Sequence, residues 1–371
     1  MLAELAVTPE YQDWQWGLAA RLRGAIESAY AQRAGEVPCV EAIVQEITRT
    51  TPATSAQVPV TRVEVEAAFL HGSRSQVRFS IGGAEHHREL ADLLVLGSYV
   101  ENGSLKWQRA CFIQAKMGSA PKAASPSRFT IDEWQLALLR AFPEFEGVSG
   151  VFAGLRFHLR NRTGMLGAYG LLVAPGDFTV ISARVLNQLL GGRKSLVGKE
   201  LTPTILSELA VRIAENPVSL TPWWPFDPEH CPECAHLFEA YLPFPWHRFW
   251  RQHSHPHRAR AHSQANAEEP HSGSSLSCLG LEEFVDSWTT LRLGESWRVG
   301  ASTRSDRGLH HALFTLVSRV ARATGGLSQL VGLLSRAGNN NLPPTDDSGP
   351  SHPLDGGLAV LSAVATSGQL E

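Results

Sequence analysis

The sequence has no apolar run approaching the roughly 18 residues that a membrane-spanning helix needs, so no membrane is expected among its partners. Its opening, MLAELAVTPEYQDW, lacks the basic-then-apolar layout of a signal peptide. Cysteine is scarce. Cys39, Cys111, Cys231, Cys234 and Cys278 form an odd set with one close pair, which is not a disulfide framework, and a reducing cytoplasm is the expected location. An excess of one charge is also missing: 33 Lys and Arg stand against 36 Asp and Glu, a formal net charge of -3. That balance excludes a uniformly basic nucleic-acid coat but leaves room for a local basic face. There is no internal repeat, which excludes solenoid and propeller architectures.

What is present is enough to build a core. A chain of 371 residues with 43% hydrophobic composition can form one large domain or two ordinary ones. Residues 1–58 read as two helices: YQDWQWGLAARLRGAIESAYAQRAG has apolar residues at helical spacing and stops at Gly35, and PCVEAIVQEITRT follows, opened by a proline. From TRVEVEAAFLHG the period changes to two, and SQVRFSIGG after an HGS turn suggests a hairpin. ELADLLVLGSY and WQRACFIQAKM form a second hairpin across VENGSLK, whose Asn-Gly pair favours a tight turn. TIDEWQLALLRAF is a helix whose Thr130 and Glu133 have capping-box spacing, and GAYGLLVAPG is one more buried strand. The order predicts an α/β fold, a mixed sheet flanked by helices with its core over 59–180. Residues 181–252 begin helically and become rich in aromatics and proline, 253–276 read as a linker, 277–337 as a mostly helical C-terminal region and 338–371 as a polar tail.

Two polar intrusions into apolar strands carry the chemistry. RELADLLVLG sets Asp92 among Leu90, Leu93, Leu94 and Val95, and ACFIQAKM carries Gln114 and Lys116 two residues apart, hence on one face. A buried carboxylate without a partner costs several kcal/mol, so either function or a buried Asp92–Lys116 salt bridge must supply one. If the hairpin brings Asp92 opposite Gln114, a carboxylate and an amide oxygen could hold a hard cation, and the Lys116 ammonium could offset charge developing on a phosphate.

These stretches, ELADLLVL, then FIQAK, then a helix beginning DEWQLALL, resemble the PD-(D/E)xK nuclease superfamily in the variant with Gln in place of the second acidic residue, as in Mrr-like restriction endonucleases and several bacterial anti-phage effectors. The resemblance spans roughly residues 40 to 175 and implies a restriction-endonuclease-like fold. It implies Asp92 and Gln114 as ligands of Mg²⁺ or Mn²⁺ and Lys116 as the catalytic lysine. Glu89 takes the place of an extra acidic residue, with Glu46 on the preceding helix as its rival, and Gln135 matches a helical glutamine near the site. No proline precedes Asp92, and Gln replaces a carboxylate, which weakens the expected grip on metal and keeps an inactive descendant in view. The implied activity is metal-dependent hydrolysis of phosphodiester bonds, with DNA as substrate and protein partners within an anti-phage defence system.

Two other readings remain open. A catalytically inactive nuclease fold would serve as a nucleic-acid-binding or assembly module. Alternatively, Cys231 and Cys234 in HCPECAH would be half of a Zn²⁺ site, completed by His230, His236, His247, His253, His255 or His257, in a zinc-organised interaction protein. The aromatics Trp223, Trp224, Phe226, Phe244, Trp246, Phe249 and Trp250 suit either base stacking or a core under proline-rich loops.

Overall fold

The computed structural model describes residues 5–32, 35–54, 60–71, 75–118, 128–159, 161, 164–173, 176–197, 277–278, 280–299, 304–337 and 357–367. Cys231 and Cys234, the histidines around them and the aromatic segment lie outside these residues.

Helix α1 (Pro9–Ala31) begins at a proline, where the missing N–H costs nothing, and α2 is Glu36–Thr48. The strands that follow are β1 (Ala53–Thr54), β2 (Val60–His71), β3 (Gln76–Ile81), β4 (Ala84–Glu89), β5 (Leu93–Glu101), β6 (Ser104–Met117) and β7 (Arg128–Thr130). Helix α3 (Glu133–Ala141) precedes β8 (Phe145–Gly147), β9 (Arg156–Phe157), β10 (Gly167–Val173) and β11 (Asp177–Ser182). Then come α4 (Ala183–Leu190), β12 (Ser195–Val197), β13 (Ser277–Cys278), α5 (Leu281–Thr289), β14 (Glu295–Arg298), α6 (Arg304–Thr324), α7 (Ser328–Ala337) and β15 (Gly357–Ser367).

The main sheet runs β1-β2-β15-β5-β6-β10-β11-β13, with β14 also pairing β6. It is mixed: β15 is parallel to β5, and β10 is parallel to β6. Alternation along β6 shows how the faces divide. Ala110 and Phe112 pack with α3, α4, α6, α7 and the small sheet β4-β3-β8-β9, whereas Cys111, Ile113 and Ala115 pack with α1, α2 and α5. The α/β class with a mixed sheet between helices is thus as expected.

Three details differ from the sequence reading. β2 and β3 do not form a hairpin; β3 pairs with β4 and β8 in the small sheet, and β2 pairs with β1 and β15. Asp132, not Thr130, caps α3, accepting from the backbone N–H groups of Trp134 and Gln135 at 3.0 and 2.8 Å. The residues read as a polar tail include β15, which is buried along nearly its whole length in the middle of the sheet, and the C-terminal region contributes β14 as well as helices. LAVLSAVA has no polar face to reveal a half-buried strand, and it is short enough to look incidental beside its Gly- and Pro-rich flank.

Because β15 joins β2 to β5, the sheet is expected to fail without it. Ala363, fully buried between Val65 and Gly97, offers no partner to a charge. Ala363→Asp, or truncation after residue 356, should abolish the cooperative thermal transition, while Ala363→Gly should lower it only modestly. A truncated chain that melts like the parent would show that β15 is dispensable.

Candidate active site

The chain leaves the small sheet at Glu89 and enters the main sheet at Leu93, so Leu90, Ala91 and Asp92 form the crossing between them. Asp92 is therefore not in the middle of a strand but at the entrance to one. Its backbone is fixed on both sides, its N–H donating to the Ile113 carbonyl at 3.1 Å and its carbonyl accepting from Ala359 at 2.8 Å. Asp92 stands one step beyond the Leu93–Ile113 pair of the β5–β6 ladder, which puts it opposite Gln114. On the far side of Gln114 lies Tyr169, its register partner in β10.

Asp92 and Gln114 are 5% and 4% exposed. Gln114 Nε2 donates to Asp92 Oδ2, and the Ala115 N–H donates to the same oxygen at 2.7 Å. At the end of β6, Lys116 Nζ pairs with Glu36 Oε2 at 3.1 Å, and Glu36 Oε1 accepts from the Met117 N–H at 3.0 Å. The alternative of a buried Asp92–Lys116 salt bridge is not what forms: among the described residues Lys116 pairs with Glu36.

Glu36 is the functional candidate that sequence reasoning missed. It opens α2, whereas Glu46 sits near the other end of that helix, roughly 15 Å along its axis, paired with Arg49 at 3.0 Å. Glu46 is thus removed from this cluster. The missed signal was a first-turn acidic residue two positions ahead of Pro38, where the helix begins earlier than its proline suggested. Gln135, 5% exposed on α3, packs toward the same face of the sheet as Asp92.

The electrostatics follow from burial and from carboxylates outnumbering cations. Burial first, then the charge of Glu89, push the Asp92 pKa up to about 8 against 3.8 for an ordinary aspartate; Lys116 opposes this and Glu36 adds to it. Glu89 is raised in the same way, by burial above all, with Lys116 acting against the rise.

Do these residues suit a hard cation? Glu89 Oε1 and Gln114 Oε1 are buried oxygens without hydrogen-bond partners, close to an Asp92 carboxyl group that burial, and after it the charge of Glu89, keeps protonated. Oxygen donors and a deficit of positive charge fit Mg²⁺ or Mn²⁺. Among the described residues no group of three or more His, Cys, Asp or Glu side chains is gathered as a metal cage. The donor set here is mixed instead, two carboxylates and a carboxamide, with Asp92, Gln114 and Glu89 as the residues that would hold the ion. None of the described helices is long and apolar enough to cross a membrane.

Comparison of the chain with protein-family models, with curated proteins and with solved structures finds no match.

The Asp92 shift sets a pH dependence. The folded protein keeps this proton to about pH 8 while the unfolded chain loses it near 3.8, so the folded state binds more protons across that window. Stability therefore falls as pH rises from about 4 to 8, at up to about 1.4 kcal/mol per pH unit from this group. Asp92→Asn should flatten this fall in a series of urea or thermal melts, leaving a smaller slope from Glu89. A slope that survives the substitution unchanged would assign it to other groups.

Proposed function

We propose that the protein is a metal-dependent nuclease that hydrolyses phosphodiester bonds, with DNA as substrate and anti-phage defence as its setting. The observation that carries the reading is Asp92 opposite Gln114, with Lys116 two residues further on in β6, beside buried oxygens of Glu89 and Gln114 that have no hydrogen-bond partner. The resemblance to the nuclease superfamily supplies the same three residues in the same order.

Asp92, Gln114 and Glu89 would hold the ion. A bound Mg²⁺ would supply Lewis-acid polarisation of the scissile phosphate. Lys116 would orient an attacking water and offset negative charge developing on the phosphate oxygens. Glu36 holds the ammonium in place through Oε2 while its other oxygen is tied to the Met117 backbone, so Lys116 is kept at the strand end rather than free in solvent. Gln135 would contribute an amide N–H₂ group, buried and without a hydrogen-bond partner at Nε2, to the substrate side of the site.

A second reading keeps the fold and drops the chemistry. Gln114 Nε2 already satisfies Asp92, so the row could persist as a purely structural arrangement in a nucleic-acid-binding or assembly module. The two are separated by a plasmid-nicking assay with and without Mg²⁺ or Mn²⁺. The nuclease reading expects cleavage by the parent, and a loss on the order of 10²-fold or more in Lys116→Met, Asp92→Asn and Gln114→Ala. Lys116→Met keeps the aliphatic stem, so it should remain folded and continue to bind DNA. Folded variants that cut as well as the parent would remove these residues from the mechanism, and a parent that binds without cutting would favour the second reading.

A further inference from the structure

The start of α3 is docked on β4 by two neighbouring contacts. The Arg88 guanidinium forks onto Asp132, Nε donating to Oδ1 at 2.8 Å and Nη2 to Oδ2 at 3.1 Å. Two positions earlier on the same face of β4, the His86 ring stacks on Trp134 with centroids 3.8 Å apart. Asp132 is itself fixed, because Oδ1 also accepts from the Trp134 and Gln135 N–H groups that open the helix. Arg88 is therefore held at a set angle by a carboxylate that is not free to turn away.

An ion pair this open to solvent adds little stability as a rule, and the two side chains are 34% and 45% exposed. What the fork does is leave Arg88 ready for a second anion. A guanidinium carries five N–H donors. Asp132 takes one from Nε and one from Nη2, and the His87 carbonyl takes one from Nη1 at 2.6 Å, so Nη1 and Nη2 each keep an N–H with no partner among the described residues. The pair also stands beside the candidate site. Only Glu89, Leu90 and Ala91 separate Arg88 from Asp92, so their Cα atoms are no more than about 14 Å apart. A duplex strand rises about 3.4 Å per nucleotide, which puts Arg88 within about four nucleotides of a phosphate at Asp92. Asp132 and Asp92 moreover flank one hydroxyl, that of Tyr169, whose proton is held by burial first and then by these two charges.

We propose that Arg88 binds a backbone phosphate of the nucleic acid next to the candidate site, and that Asp132 is its positioning residue, holding the fork in place before the nucleic acid arrives. The proposal rests on the nucleic-acid side of the reading above and names two residues that reading did not use. Asp132 offsets one positive charge, so its effect on binding is a contest between repulsion of the phosphate and pre-organisation of the guanidinium. The contacts that lock Asp132 to the helix start favour pre-organisation, and the sign of its substitution decides the matter.

The test is binding of a labelled DNA duplex, followed by fluorescence anisotropy over a KCl series with chelator present so that nothing is cut. Arg49, an exposed arginine paired with Glu46 near the far end of α2, is the control. Arg88→Met should weaken binding about tenfold and lower the salt slope by about 0.9, the share of one phosphate. Arg88→Lys should keep the slope and weaken binding about threefold, since an ammonium is a point charge and cannot fork. Asp132→Asn keeps a good helix cap. It should weaken binding about threefold alone but change it by less than about twofold beside Arg88→Met, because it acts through Arg88. A carboxylate acting only by its charge would repel the duplex, so tighter binding by Asp132→Asn in both backgrounds would overturn the proposal. So would an Arg88→Met loss no larger than that of Arg49→Met, or a parent that binds no duplex. If Arg88→Met does not fold, Arg88→Lys and Asp132→Asn decide by the same expectations. Plasmid nicking in Mg²⁺ on the same samples keeps the two failures apart. A parent that binds through Arg88 without cutting removes the nuclease and leaves this contact, whereas a cutting parent whose Arg88→Met variant binds equally well removes the contact alone.

Discussion

A carboxylate cannot be taken out of water without partners, and the structure around Asp92 is arranged to provide them. Two donors, the Gln114 amide and the Ala115 N–H, converge on one oxygen, and the backbone of Asp92 is clamped between β6 and β15. Each of these partners comes from a strand whose register is fixed by other pairs along its length. Displacing any of them strands a polar group in the interior, at a cost of about 1–3 kcal/mol for a neutral group and more for a charged one. The junction between the small and main sheets is therefore a point where fold and candidate chemistry impose the same geometry.

That geometry depends on residues distant in sequence. The carbonyl of Asp92 is held by Ala359, and Tyr169 completes the row from β10, so the site cannot be assembled from the β5–β6 hairpin alone. β15 arrives from the C-terminal end of the chain and inserts parallel to β5, a non-local pairing whose loop-closure cost must be met before its contacts help. The N-terminal helices have the same dependence, since α1, α2 and α5 share one apolar cluster with strands from both ends of the chain. The sheet and the candidate site thus depend on the same long-range pairings.

Much of the hairpin was legible in the sequence. The Asn-Gly pair adopts the left-handed conformations that its turn requires, with φ of 48° at Asn102 and 73° at Gly103. Register was not legible in the same way. Counted outward from the Glu101–Ser104 pair without interruption, Asp92 would face Ile113, and Gln114 would point to the opposite side of the sheet. A register shift between Tyr99 and Val100 restores the match. Nothing in the letters VENGSLKWQ marks that irregularity; its surroundings do, because the Lys106 carbonyl accepts from Val299 in the segment after β14. Glu36 and β15 escaped for related reasons: their roles come from elements brought together across the chain, whereas periodicity and turn chemistry report only on neighbours.

The charge balance around Asp92 links these features. Glu36, Glu89 and Asp92 act on one another, with Lys116 as the cation that opposes their mutual repulsion, and Lys116 is engaged by Glu36. Burial above all, and after it the charge of Glu89, keep a proton on Asp92. Under the proposed reading a divalent cation would take the place of that proton, so metal uptake near neutral pH would be an exchange and weaker than the oxygen ligands alone would allow. The carboxamide at Gln114 weakens the hold further, because it brings a dipole where a second carboxylate would bring a charge. Such a site would hold its ion firmly only when a substrate phosphate adds its own negative oxygens, and the Gln at this position would then tie metal occupancy to the presence of nucleic acid.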